Sequence, residues 1–157
     1  MPALNTKDYL ISALNVQHTR LVNDFKALPD EAKAKSHGGC ARTPLSFLVE
    51  CAALNMFIAD ILEKGDGKRL TDEEEAALYK RMDTAEKALA MLDDSVAKLR
   101  AAYDALDENT LGDITDKPFG RPMQKFGPAC LPINHMMYHD GQLNFLQTLY
   151  GDDKIHW

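Results

Sequence analysis

From Leu78 to Leu106 the apolar side chains fall at Leu78, Met82, Ala85, Leu89, Leu92, Val96, Leu99, Tyr103 and Leu106, in steps that alternate four and three. That is the 3.5-residue repeat of a helix keeping one face against its neighbours, and it predicts left-handed packing at about +20°. A strand would alternate every second residue, so the run excludes a β architecture here. Just upstream, Thr71 with Glu74 makes a capping box, and Asp72, Glu73 and Glu75 suit the positive end of a helix dipole. The spacing therefore predicts one long helix from about residue 71 to 106, roughly 54 Å at 1.5 Å per residue. Its seam serves either packing within the bundle or a dimer interface, and an overhanging rod favours the dimer.

Three further helices follow from the same logic. Between about Thr6 and Leu28, Leu10, Leu14, His18, Leu21, Phe25 and Leu28 share one face, and Pro29 stops the run. The stretch from Asp30 to Thr43 reads as a polar connection. Thr43-Pro44 supplies a cap and a proline at the first helical position of a second helix, which ends at Gly65 and buries Phe47, Leu54, Phe57, Ile58 and Ile61. Asp107 to Gly127 holds Gly112, Pro118, Gly120, Pro122 and Gly127, too many breakers for a helix, and reads as a long loop crossing one end of the bundle. A last helix covers about Leu131 to Leu149, with Pro132 confined to its first turn and Gly151 closing it. No strand is evident. The expectation is an all-α, four-helix-bundle fold over residues 1–157 as a single domain, with a long ordered loop before the last helix.

Charge narrows the partners. With 18 Lys plus Arg against 24 Asp plus Glu, the formal charge is −6, which argues against nucleic acid or an anionic membrane as the main partner. Met1 to Ile11 lacks an apolar core and includes Lys7 and Asp8, and no uninterrupted apolar run approaches 18 residues, so the chain reads as soluble and cytoplasmic. Three widely spaced cysteines, Cys40, Cys51 and Cys130, indicate neither a disulfide framework nor a cysteine-type zinc finger.

The residues that carry chemistry lie on the second and last helices. His135 and His139 stand four apart, so their imidazoles project from one face about 5 to 6 Å apart, within reach of one metal ion. Met136 stands where a zincin motif requires glutamate, which excludes that protease class. Glu50 lies between Phe47 and Leu54 on an apolar stripe, where an ionised carboxylate needs a partner. A metal held by Glu50, His135 and His139 satisfies all three groups and suits Zn, Ni, Fe or Mn. Alternatively Glu50 pairs with a histidine or with Arg20 or Arg42, or tilts to solvent. His18 stays open between a fourth ligand, a hydrogen-bonding group behind the ligands and a satisfied core histidine. Gln142, Tyr138 and Asn134 are placed to line or support the pocket. Cys51 points about 100° from Glu50 and reads as packing. A carboxylate-bridged di-iron centre needs paired Glu-x-x-His motifs, and the chain has none.

On these residues the chain resembles the DinB/YfiT-like proteins of bacteria. His135, Tyr138, His139, Gly141, Gln142 and Leu143 match the family's H-x-x-x-H-x-G-Q-L run, continuing through Asn144, Phe145 and Gln147. Thr43, Pro44 and Leu45 also match, with Leu48, Ala52, Ala53 and Asn55. The resemblance implies a four-helix bundle with a divalent transition metal held by one group from the second helix and two histidines from the last. The family's third ligand is typically histidine, and that position falls on Glu50. The resemblance further implies a metal-dependent thiol S-transferase or hydrolase, with a small-molecule substrate or low-molecular-weight thiol, and a homodimer. The competing reading is a non-catalytic bundle whose Glu50 and histidines form a buried polar network and whose long helix serves dimerisation.

Overall fold

A computed structural model gives the structure of residues 5–157. Residues 1–4, which begin the segment read for an export signal, lie outside the described residues. Helix α1 (Thr6–Ala27) starts at Asn5, whose side chain accepts the Asp8 amide at 2.7 Å, and a short α2 (Asp30–Lys33) follows Pro29. Helix α3 (Pro44–Lys64) starts at Thr43, whose hydroxyl accepts the Ser46 amide. It ends at Gly65, in the left-handed conformation (φ +75°) that a side chain would resist. Next come α4 (Asp72–Arg81), α5 (Ala85–Ala105) and, after the loop, α6 (Phe126–Leu149). The four long helices, α1, α3, α5 and α6, form the expected all-α bundle, with α3 packed along α5, α1 along α6, and α3 against α6. Among the described residues α3 is the one helix long and apolar enough to cross a membrane, and half of that stretch is buried as core.

The single long helix expected from residue 71 to 106 is two helices. The Thr71–Glu74 capping box forms as read, but Met82 leaves helical geometry and the Thr84 hydroxyl accepts the Lys87 amide at 3.3 Å, starting α5 afresh. Packing does not override this local competition, because α4 buries just Leu78. The overhanging rod is therefore absent, and with it the argument for dimerisation through it. The rest of the seam is consumed inside the chain, where Leu92, Leu99 and Tyr103 are fully buried.

The loop before α6 carries more order than expected. A 3₁₀ turn at Glu108–Thr110 leads into two short antiparallel strands, β1 (Ile114–Thr115) and β2 (Met123–Gln124), with Ile114 opposite Gln124 and Thr115 opposite Met123. It packs near the C-terminal end of α3, where Lys117 Nζ lies 3.0 Å from Asp66 Oδ1. The Lys125 and Phe126 amides bond back to the Asp113 and Leu111 carbonyls, which is how α6 starts five residues earlier than read. Pro128 thus occupies the first turn and Pro132 lies inside the helix, where it offers no N–H to the Pro128 carbonyl. At that turn the Tyr103 hydroxyl donates to the Ala129 carbonyl at 2.6 Å and ties α5 to α6.

The α1–α6 interface is partly polar. The inward face of α1 is Leu10, Leu14, Gln17, Leu21, Asp24 and Phe25, so Gln17 takes the position assigned to His18. Gln17 Nε2 donates to Asp140 Oδ2 at 3.2 Å. Asp24, fully buried, accepts from Asn144 Nδ2 at 2.7 Å, Gln147 Nε2 at 3.3 Å and the indole of Trp157 at 3.1 Å, while Arg20 stacks over that indole. Burial, reinforced by the neighbouring Asp24, pushes the Asp140 carboxyl up to about 7.

Candidate metal centre

The N-terminal half of α3 faces the middle of α6, and the contact brings the sequence-selected groups together. Glu50 Oε1 lies 3.5 Å from His135 Nε2, and Glu50 Oε2 lies 3.3 Å from His139 Nε2. The i,i+4 imidazoles meet edge to face with centroids 4.6 Å apart. Phe47, one turn before Glu50 on α3, stacks on the His139 ring at 4.6 Å and excludes water from that side. Gln142 Oε1, one turn beyond His139, accepts from His139 Nδ1 at 2.7 Å.

That last bond places one proton of His139. With the amide oxygen facing Nδ1, a proton sits on Nδ1, and in the neutral ring a lone pair then occupies Nε2. His139 is fully buried and its Nε2 has no hydrogen-bond partner. It faces a carboxylate oxygen, so two lone pairs confront each other in a water-poor site, an arrangement that calls for a cation between them. Two donors each about 2.1 Å from one tetrahedral ion stand about 3.4 Å apart, which matches both Glu50–His separations. Each Glu50–histidine pair, through its own carboxylate oxygen, thus has the spacing of two donors to one ion.

Two more groups touch the site: Arg42, one of the partners open to Glu50 from the sequence, and Cys51, expected to pack. Arg42, from the connection before α3, pairs with Glu50 Oε2. Burial pushes the Glu50 carboxyl up, but the flanking His135 and His139 side chains together with the Arg42 charge outweigh it and hold the group well below the usual carboxylate range. Cys51 is fully buried, as packing requires, but its Sγ also lies 3.8 Å from His135 Nδ1, and Cys51, His135 and His139 form a group whose ligand atoms all lie within 4.8 Å of one another and could hold a metal ion. Burial and then the Glu50 charge push its thiol well up. The two candidate donors of α3 approach opposite nitrogens of His135.

His18 is elsewhere. Its Nε2 lies 2.8 Å from Asp93 Oδ1 on α5, so it is neither a ligand nor a group behind the ligands in this arrangement. Tyr138 packs edge-on to His139 at 5.0 Å, and Gln142 supports the ring as expected. Beside His139 a cleft of about 560 Å³ opens to solvent, lined by the connection before α3 (His37, Cys40, Arg42) and the outer face of α6 (Tyr138, Phe145, Leu149). The loop between α5 and α6 does not line it.

The architecture is thus a four-helix bundle bearing a Cys/His/His group able to bind a metal ion between its second long helix and its last. No family model and no curated protein matches the sequence. Solved structures do match, and they place the fold as DinB-like. A DinB-like protein, YjoA, from Bacillus subtilis superposes with a TM-score of 0.69 at 15% identity, covering 95% of this chain and 96% of that one. A conserved protein from Enterococcus faecalis gives 0.75 at 16% identity, covering 96% and 100%. An uncharacterised protein from Clostridium difficile 630 gives 0.71 at 12% identity, covering 94% and 98%. At these identities the likeness is one of fold.

Proposed function

We propose that the chain is a DinB-family metalloprotein in which Glu50, His135 and His139 hold one divalent transition metal, and that it is a metal-dependent enzyme of the thiol S-transferase or hydrolase class. The observation that carries the reading is the buried, unpartnered His139 Nε2 facing the Glu50 carboxylate at 3.3 Å. Each of this chain's groups has a part in that reading. Gln142 fixes the His139 tautomer so that Nε2 is a donor pair and not an N–H. Phe47 holds the ring plane and keeps water off one face. Arg42 keeps Glu50 ionised and oriented. A divalent ion bound there supplies Lewis acidity, which lowers the pKa of a water or thiol so that a nucleophile exists at neutral pH.

A second donor set, Cys51 with His135 and His139, is favoured by the short mutual distances of those three ligand atoms. Metal analysis of the purified protein and three variants separates the two. The Glu50 reading expects about one metal per chain in wild type and in Cys51→Ala, and loss in Glu50→Gln and His139→Ala. Loss in Cys51→Ala with retention in Glu50→Gln selects the thiolate set. A wild type that takes up no metal under zinc, nickel or iron supplementation favours the purely structural polar network.

A further inference from the structure

We infer that the cleft beside His139 is the substrate pocket and that it selects a small molecule with an apolar, aromatic-sized body and an anionic head, the head pairing with Arg42. This rests on the reading of Glu50, His135 and His139 as the reactive centre. The apolar wall is supplied by Tyr138, Phe145 and Leu149, which are 58%, 63% and 59% exposed and lie together on the outer face of one helix. The inner wall is the same Phe47, Tyr138 and Gln142 that touch the His139 ring, so a molecule seated in the cleft abuts the centre.

Charge decides the head group. In a chain of net charge −6, no acidic side chain lines this cleft among the described residues, and Arg42 is its one permanently charged lining group. The guanidinium offers five N–H donors in a rigid fork, and Glu50 Oε2 is its one side-chain hydrogen-bond partner among the described residues. Its side chain is 45% exposed, with donors left over toward the cleft. The charge balance points the same way. Glu50 and Arg42 cancel, so a divalent ion between Glu50 and the imidazoles leaves its positive charge uncompensated, and an anionic head supplies the missing charge. The ion also competes with Arg42 for Glu50 Oε2, the oxygen nearest His139 Nε2, and frees the fork for a ligand. Carboxylate and sulfonate heads share this chemistry.

The test titrates two fluorescent probes of nearly the same body against the metal-loaded full-length protein: anionic anilinonaphthalene sulfonate and neutral phenylnaphthylamine. Wild type is expected to bind both. Arg42→Gln is expected to weaken the sulfonate at least about tenfold, the scale of one lost charge-assisted pair, and to leave the neutral probe within about twofold. Arg42→Lys recovers part of the loss, and Phe145→Glu, which puts a negative charge in the apolar wall, expels both. Equal effects of Arg42→Gln on the two probes, no effect on the sulfonate, or binding that survives Phe145→Glu overturns the inference. Metal content is measured on the same samples. Metal present with no Arg42 effect sinks this inference alone, whereas wild type without stoichiometric metal overturns the underlying reading and the assignment of the cleft with it.

Discussion

Replacing Asp140 with asparagine should stabilise this protein, and by an amount that grows with pH. Asp140 is 4% exposed and shares its site with the fully buried Asp24. Asp24 collects three N–H donors, whereas Asp140 receives one, from Gln17, and its Oδ1 has no hydrogen-bond partner. Asp140 therefore holds its proton more firmly than a free carboxyl, moving from an ordinary 3.8 to about 7, first through burial and then through Asp24. A raised carboxyl pKa means that the folded state holds a proton the unfolded chain has already released. Stability then falls as pH rises from about 4 to about 7 and levels off above it. Asparagine mimics the protonated acid, with an N–H for Asp24 and a carbonyl for Gln17, and removes this pH-dependent loss. At about 1.4 kcal/mol per unit, the advantage of Asp140→Asn should widen by about 2 kcal/mol between pH 5 and pH 7. Urea unfolding of both proteins at pH 5, 6, 7 and 8, in chelator so that the neighbouring His139 carries no ion, measures it. An advantage that stays constant with pH, or a variant less stable at pH 8, refutes the assignment of the proton to Asp140.

Three other outcomes follow from the structure. Gln142→Leu removes the acceptor that fixes His139 and should weaken zinc about 10- to 100-fold in competition with a chromophoric chelator, and an unchanged affinity contradicts the tautomer argument. Leu99→Ala empties a fully buried seam position and should cost about 2 to 5 kcal/mol in urea unfolding without changing the oligomeric state seen by light scattering, because the seam is spent within the chain. Thr84→Ala should cost about 1 kcal/mol through loss of the α5 cap, and a stability within error of wild type shows that the break between α4 and α5 is not held by that hydroxyl.

What could be read from sequence depended on whether a residue's environment is set by its own helix. The Thr43-Pro44 start, the Gly65 stop and the Thr71–Glu74 box are local chemistry, and each appears where expected. His135 and His139 are tied by helical geometry, and Glu50 stood out because its own stripe is apolar. The misses are non-local. From Leu14 a helical stripe continues equally well through residue 17 or 18, and the choice of Gln17 was made by Asp140 on another helix. Arg42 and Arg20 both stand open in the sequence as partners of Glu50, and Arg42, which makes the pair, reaches it from a connection with no periodicity to single it out. Cys51, although rotated from Glu50, still reaches His135, because two adjacent residues can straddle one facing helix. The break at Met82 was masked by a heptad that runs on through it, and the β1–β2 hairpin is too short for alternation to register.

Cys51 and His135 are 84 positions apart, so the centre joins an early helix to the last one. During synthesis α3 leaves the ribosome with a carboxylate and a thiol but neither imidazole, a pair of donors too few to retain an ion. On the proposed reading, metal enters after α6 has docked, when Gln142 and Phe47 have already set the ring of His139. The identity of the ion is then chosen by a finished cavity and not by whichever cation the nascent chain meets first, so cells grown in different metal supplies should yield protein that differs in occupancy more than in fold.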